Sequence, residues 1–164
     1  MELLPHIVLA GISGTALTDA WAALRQRWFG IRAPDYGLVG RWLAHLARGR
    51  LRHDAITAAP AIRGESVIGW TAHYLIGVGF AALLPAVAGS HWFADPTLIP
   101  ALLLGIVTVL APFLLMQPGM GAGIAASRTP RPGAARLQSL VNHAVFGLGL
   151  FMGAAAATKL PGWD

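Results

Sequence analysis

Four long apolar segments constrain the fold of this chain more than any other feature of its sequence. Each is about 20 residues long, and they are Leu3–Leu24, Val67–Ala88, Thr97–Met116 and Leu137–Thr158. A helix of that length rises by about 30 Å, which is the thickness of the hydrocarbon core of a bilayer. The pattern predicts an all-α integral membrane protein, with four transmembrane helices in a single domain covering residues 1–164.

The composition agrees with a membrane protein. Hydrophobic residues make up 55% of the chain and charged residues 12%, and the mean hydropathy is +0.60. A soluble domain of 164 residues cannot bury so much apolar surface, whereas lipid can cover it. The chain contains no cysteine, which excludes disulfides, thiolate metal sites and covalently attached haem.

The basic residues predict how the helices are oriented. Apart from Lys159, every lysine and arginine lies in or beside the segments that join the first two and the last two apolar runs. Because cytoplasmic loops carry an excess of Lys and Arg, both segments are expected in the cytoplasm and both termini outside it. The excess of basic over acidic residues is therefore explained by membrane topology. No nucleic-acid partner is expected, since no DNA- or RNA-binding motif accompanies the arginines.

The first of these loops contains the pattern of a short amphipathic helix, at about residues 35–48. Its apolar residues recur at spacings of three and four, and they are Leu38, Val39, Trp42, Leu43 and Leu46. Asp35 is the expected N-cap, and the opposite face carries Arg41, His45 and Arg48. We expect this helix at the membrane interface, its arginines facing anionic headgroups, either as a bridge between spans or as a docking helix. Trp92, in the turn between the second and third runs, is a further expected interfacial residue.

The second loop, QPGMGAGIAASRTPRPGAAR, is rich in glycine and proline. Its glycines at 119, 121 and 123 have the spacing G-x-G-x-G, and they follow a membrane helix. A dinucleotide-binding fingerprint has a different spacing and follows a strand. The pattern therefore indicates a flexible hinge.

Polar residues inside apolar spans are costly and often functional. Counting from the predicted span ends, one such residue per helix lies within about 10 Å of the cytoplasmic surface, namely Asp19, His73, Gln117 and His143. Glu65 and Asn142 lie beside this layer in the sequence. The six residues form a candidate site for a ligand or a proton. The alternative is that they hydrogen-bond one another and fix the register of the helices.

The two histidines occur in matching motifs. Residues 73–80 read HYLIGVGF and residues 143–150 read HAVFGLGL, and both contain H-x-x-x-G-x-G. The first and third apolar runs share a Gly-Ile pair, Gly11-Ile12 and Gly105-Ile106. Duplication of one helix hairpin, with the two halves parallel, would explain both matches.

Three stretches resemble one known family. PDYGLVGRWLAHL, GESVIGWTAHYLIGVGF and PFLLMQPGMGAGIAASRTPRPGAARLQSLVNHAVFGLGL together are similar to a bacterial membrane-protein family known as domain of unknown function 2938. The likeness covers nearly the whole chain. It implies a small multi-span inner-membrane protein, and it implies no reaction, substrate or cofactor.

Several functions fit these features. A transporter or channel-like protein would use the polar layer, with Pro85, Pro100 and Pro112 as candidate bends in the helices. A redox protein would bind b-type haem between His73 and His143. An enzyme would use Asp19 or Glu65, but no nucleophile or metal-site motif supports it. A structural or accessory subunit is the remaining alternative, and the pair Gly149 and Gly153 allows a homo-oligomer.

Overall fold

A computed structural model describes residues 3–160, and every regular element among them is helical. Four helical segments are long and apolar enough to cross a membrane: Leu3–Phe29, Glu65–Ala88, Leu98–Met120 and Pro132–Ala157. Their positions match the four predicted runs to within a few residues. The all-α class and the number of span-length helices are therefore confirmed.

The elements follow in this order: α1 (Leu3–Phe29), α2 (Tyr36–Leu46), α3 (Glu65–Ala81), α4 (Leu84–Ala88), α5 (Leu98–Val107), a π-helix (Pro112–Met116), α6 (Gln117–Met120) and α7 (Pro132–Ala157). Short 3-10 turns occupy Ile56–Ala58, Ser90–Phe93 and Ile124–Ala126. The second span-length segment consists of α3 and α4, and the third runs from α5 to α6.

The candidate bend at Pro112 coincides with an irregularity, and the one at Pro100 does not. Pro112 begins the π-helix, because proline has no N–H to donate and its ring crowds the preceding turn. Pro100 lies in the first turn of α5, where N–H groups have no helical partner anyway, and α5 continues without a break. Pro85 lies at the start of α4, just after α3 has ended.

The described chain divides into two compact units. The first unit contains residues 3–33, 74–108 and 141–160, and the second contains residues 34–73 and 109–140. The prediction of a single domain stays a prediction. The first unit has an apolar core that includes Ala10, Leu84, Phe93, Leu104 and Leu150, each at most 5% exposed.

Within the first unit, α1 and α3 approach each other closely at glycines. A Cβ added at Gly11 would lie 2.5 Å from Cα of Val78, and a Cβ at Gly77 would overlap the hydroxyl of Thr15. The Thr15 hydroxyl donates to the carbonyl of Gly11 (2.8 Å). Gly77 is the first glycine of the H-x-x-x-G-x-G motif in α3.

The pair α5 and α7 repeats this arrangement. A Cβ added at Gly105 would lie 2.6 Å from Cα of Gly147, the first glycine of the second motif. The Thr108 hydroxyl donates to the carbonyl of Gly105 (2.6 Å), as Thr15 does to Gly11. The glycines of the two Gly-Ile pairs therefore have the same role, which is what duplication of a helix hairpin predicts.

In the second unit, α2 begins where the sequence predicts and packs on the start of α3. The N–H of Gly37 donates to Oδ1 of Asp35 (2.9 Å), so the predicted N-cap is confirmed. A Cβ at Gly40 would overlap the carbonyl oxygen of Glu65, and one at Gly69 would overlap that of Tyr36. Only glycine permits backbones to pass this closely.

The two basic loops also meet within the second unit. The N–H of His53 donates to the carbonyl of Gly119 (2.9 Å). A Cβ at Gly121, which has φ of +97°, would overlap the carbonyl of Asp54. The Nε atom of Arg136 donates to the carbonyl of Ala125 (2.8 Å). The glycine-rich loop is therefore folded against the first loop, although its composition predicts a flexible hinge.

Candidate functional site

Asp19 is hydrogen-bonded inside the first unit. The hydroxyl of Tyr74 donates to Oδ2 of Asp19 (3.0 Å), and both side chains are half-buried. At the preceding residue of α1, the Thr18 hydroxyl donates to the carbonyl of Gly14 (2.9 Å). Satisfying its own backbone in this way lets a threonine sit in an apolar helix at little cost.

His143 is held by α5, also inside the first unit. Its Nδ1 atom lies 3.0 Å from Oγ1 of Thr108 and 3.2 Å from the carbonyl oxygen of Gly105. The close approach of α5 and α7 brings these groups together, since Gly105 contacts the backbone of α7 directly. A histidine whose Nδ1–H is bonded to a carbonyl presents Nε2 as an acceptor. The ring therefore has a defined orientation.

His73 belongs to the second unit and lies in an aromatic cluster. Its ring is stacked on Tyr36, with centroids 4.0 Å apart and planes 23° apart. Trp70 contacts the same histidine edge-on at 5.9 Å and Tyr36 at 4.6 Å. Tyr36 is the first residue of α2, so this cluster joins α2 to α3. The matching histidines of the two motifs therefore have different partners: His143 contacts α5, and His73 contacts α2.

Glu65 forms a bidentate ion pair with Arg41. Nε and Nη2 of the arginine donate to the two carboxylate oxygens at 2.8 and 2.7 Å, and the N–H of Ile62 donates to Oε2 (2.9 Å). The same guanidinium reaches the carbonyl of Ala59 (3.1 Å). The hydrogen bond to Glu65 raises the pKa of Arg41 above its ordinary value. Glu65, a candidate for ligand binding by sequence, thus anchors α2 to the beginning of α3.

Two candidate residues have buried amide oxygens. Oε1 of Gln117, in the second unit, and Oδ1 of Asn142, in the first, are buried without a hydrogen-bond partner in the structure. Leaving such an acceptor unsatisfied costs about 1–3 kcal/mol. Atoms of this kind often accept hydrogen bonds from a bound molecule or from water.

The expected interfacial residues have different surroundings. Nε1 of Trp42 donates to the carbonyl of Leu51 (3.2 Å), and its ring contacts Gly119. Trp92 is 5% exposed and its Nε1 lies 3.3 Å from the carbonyl oxygen of Thr97. Both tryptophans therefore contact protein, whereas Arg48 is exposed.

The structure divides the six candidate residues between the two units. Asp19, Asn142 and His143 lie in the first unit, and Glu65, His73 and Gln117 lie in the second. A layer shared by all six stays a prediction, as does haem bound between the two histidines. Within residues 3–160, no three His, Asp or Glu side chains form a group that could hold a metal ion.

A family model described as "Protein of unknown function (DUF2938)" matches residues 8–157. That range covers most of the 164 residues. The chain belongs to this family. The resemblance inferred from the loop and motif sequences is thereby confirmed, and the family description assigns no activity to its members. Comparison with curated proteins and with solved structures finds no match.

Several partners of the candidate residues could not be selected from the sequence alone. Tyr74 and Thr108 are the hydroxyl partners of Asp19 and His143, and Tyr36 is the ring on which His73 stacks. A signal exists for Tyr74, because a tyrosine in an apolar span needs a hydrogen-bond partner. Thr108 stands three residues after Gly105. Once the contact of Gly105 with α7 is known, the Gly-Ile pair therefore also indicates Thr108 as a residue close to α7.

Proposed function

We propose that the protein is an integral protein of the bacterial inner membrane and that it works as a small transporter or channel-like protein. Support for insertion comes from large apolar side chains exposed on all four span-length helices. They include Leu4, Val67, Leu115 and Met152, which are 70%, 71%, 67% and 52% exposed. Exposed apolar surface on this scale needs a cover, and lipid is the cover that helices of this length fit.

The proposed orientation places both basic loops in the cytoplasm. The hydrogen bond between His53 and Gly119 supports it, because two loops in contact lie on the same side of a bilayer. Both loops also carry the arginines that the positive-inside rule assigns to the cytoplasm.

A topology experiment checks this orientation. At a fusion site after Asp164 we expect alkaline phosphatase, which is active outside the cytoplasm, to be active and green fluorescent protein to be dark. At a site after Arg50 we expect the reverse. The measurement is paired alkaline phosphatase and green fluorescent protein fusions at each site. Alkaline phosphatase activity at Arg50, or cytoplasmic fluorescence at the C-terminus, would contradict the four-span arrangement.

The observation that carries the transport proposal is the Asp19 carboxylate, which accepts a hydrogen bond from Tyr74 inside a span-length helix. An ionisable group in the hydrocarbon region is expensive and commonly marks a path for protons or ions. His143, bonded to Thr108 in the same unit, is a second titratable group on another span-length helix. The proposed ligand is a proton, with Asp19 as its acceptor.

Proton flux into proteoliposomes tests the proposal directly. Vesicles that contain the protein and the pH-sensitive dye pyranine receive a valinomycin-driven potassium potential. The wild-type protein should acidify the interior faster than empty vesicles do. Asp19→Asn should reduce the rate of acidification above that of empty vesicles at least about tenfold, because an amide side chain cannot take up and release a proton.

The matched control is Asp95→Asn. Asp95 is an exposed carboxylate in the turn between α4 and α5, outside the span-length segments. Asp95→Asn removes the same charge as Asp19→Asn and should leave the proton flux unchanged. Equal fluxes for wild type and Asp19→Asn, with both proteins monodisperse, would rule out Asp19 as the proton acceptor.

A further inference from the structure

The second unit contains a basic pocket between the two loops that the sequence assigns to the cytoplasm. Its volume is about 400 Å³, and the polar side chains along its wall are Arg50, Arg52, His53, Asp54, Ser127 and Arg128. The three arginines are exposed to solvent, so a dissolved or membrane-bound ligand can reach them. Arg50 and Arg52 belong to the first loop and Arg128 to the second, and the contact between the loops brings them to one place.

His53 is the buried member of this wall. It is 5% exposed, and neither ring nitrogen has a hydrogen-bond partner. Its ring contacts His45 edge-on, with centroids 5.0 Å apart, and the Nε2 atom of His45 lies 3.1 Å from the carbonyl oxygen of Pro60. An imidazole must donate or accept at its nitrogens to offset the cost of burial. The missing partner of His53 therefore points to a ligand in the pocket.

The backbone holds this wall in place before any ligand binds. The N–H of His53 donates to the carbonyl of Gly119, and the carbonyl of Asp54 contacts Gly121. On the other side of the pocket, Gly123 contacts the side chains of Ser127 and Arg128. A pocket that is already formed binds its ligand without the loss of loop entropy.

We propose that this pocket binds a phosphate monoester. Arginine forks match the oxygens of phosphate, and three guanidinium groups with one carboxylate leave two positive charges uncompensated. A phosphate monoester carries a charge of about −1.5 to −2 near neutral pH, which matches that excess. His53 and the Ser127 hydroxyl supply additional hydrogen bonds to its oxygens.

The phosphate can come from a lipid headgroup or from a soluble molecule. Ligand pockets commonly have volumes of about 300–1,000 Å³, so this one also has room for atoms attached to the phosphate. Two matched pairs of probes separate the sources. Glycerol 3-phosphate is compared with glycerol in solution, and phosphatidic acid is compared with diacylglycerol in mixed micelles. Within each pair, the members differ only by the phosphate group.

Dissociation constants are measured by thermophoresis on the full chain in detergent. The pocket variant is Arg52→Gln with Arg128→Gln. The control is Arg63→Gln with Arg131→Gln, which removes one exposed arginine from each of the same two loops outside the pocket. We expect the pocket variant to weaken binding of a phosphate probe at least about tenfold, and the control to stay within about twofold. If the double variant does not fold, Arg50→Gln against Arg48→Gln repeats the comparison with one charge.

If the pocket variant loses binding of glycerol 3-phosphate alone, the ligand is a soluble phosphate. If it loses binding of phosphatidic acid alone, the ligand is a lipid headgroup. Both results support the phosphate site. The proposal is overturned if neither phosphate binds better than its phosphate-free counterpart. It is also overturned if pocket and control variants lose the same affinity, because general attraction between arginines and anions would then explain the binding.

Discussion

Replacing Gly105 with alanine is expected to lower the free energy of unfolding by about 3 kcal/mol. The new Cβ would lie 2.6 Å from Cα and N of Gly147, and also 2.6 Å from the carbonyl oxygen of His143. These are backbone atoms of a packed helix, so they cannot swing away as the end of a side chain can. The helices α5 and α7 must separate, and the bond between Thr108 and His143 should weaken with them. The measurement is the midpoint of thermal unfolding in detergent.

The control for this experiment is Gly79→Ala. Gly79 is the second glycine of the first H-x-x-x-G-x-G motif, and nothing lies within 4 Å of a Cβ added there. Alanine has the higher helix propensity, so this substitution should stabilise the protein by up to about 1 kcal/mol. A fall in the midpoint for both variants would mean that glycine matters here for some reason other than helix contact.

The predicted duplication of a helix hairpin extends the same expectation to α1. Gly11 is the counterpart of Gly105, and its added Cβ would lie 2.5 Å from Cα of Val78. Gly11→Ala should therefore lower the midpoint by an amount similar to Gly105→Ala. A much smaller effect would show that the two hairpins no longer share the contact that their sequences share.

The parts of this fold that the sequence predicts are those determined locally. Span-length helices follow from the length of an apolar run, because each helix satisfies its own backbone hydrogen bonds. The start of α2 follows from Asp35, whose carboxylate reaches an N–H two residues away. The break at Pro112 follows from the missing donor of that residue itself.

The parts that escape prediction depend on which distant residues meet. Arg41 and Glu65 are 24 residues apart, and nothing in either local sequence selects the other. Arg41 was therefore expected at lipid headgroups, although its guanidinium contacts Glu65 and the carbonyl of Ala59. The basic pocket has the same origin. His53 and Arg128 belong to different loops, and only their packing makes them neighbours.

The matched histidines illustrate both cases. The motif predicts that α3 and α7 are related, and the glycine contacts of the first unit agree with that prediction. The motif did not predict the partners of the histidines, because those lie on α2 for His73 and on α5 for His143. A duplicated sequence can keep its backbone contacts while the side-chain partners diverge.

The second large effect is expected for Gly69→Ala in the second unit. Its new Cβ would overlap the carbonyl oxygen of Tyr36, and the reciprocal glycine, Gly40, already touches the carbonyl of Glu65. Helix α2 would have to move away from α3, and the bidentate contact of Arg41 with Glu65 would be lost with that movement. We expect the free energy needed to detach α2 from α3 to fall by about 3 kcal/mol, which is the upper end of the range for overpacking against a rigid neighbour.

Hydrogen exchange followed by mass spectrometry measures this opening, because amides in α2 exchange when the helix detaches. A reduction of about 3 kcal/mol corresponds to roughly a hundredfold faster exchange across Tyr36–Leu46. The control is Gly133→Ala, in the first turn of α7, where nothing lies within 4 Å of an added Cβ. It should leave exchange in α2 unchanged. If Gly69→Ala also leaves it unchanged, the crossing of α2 and α3 does not depend on the contact made by Gly69.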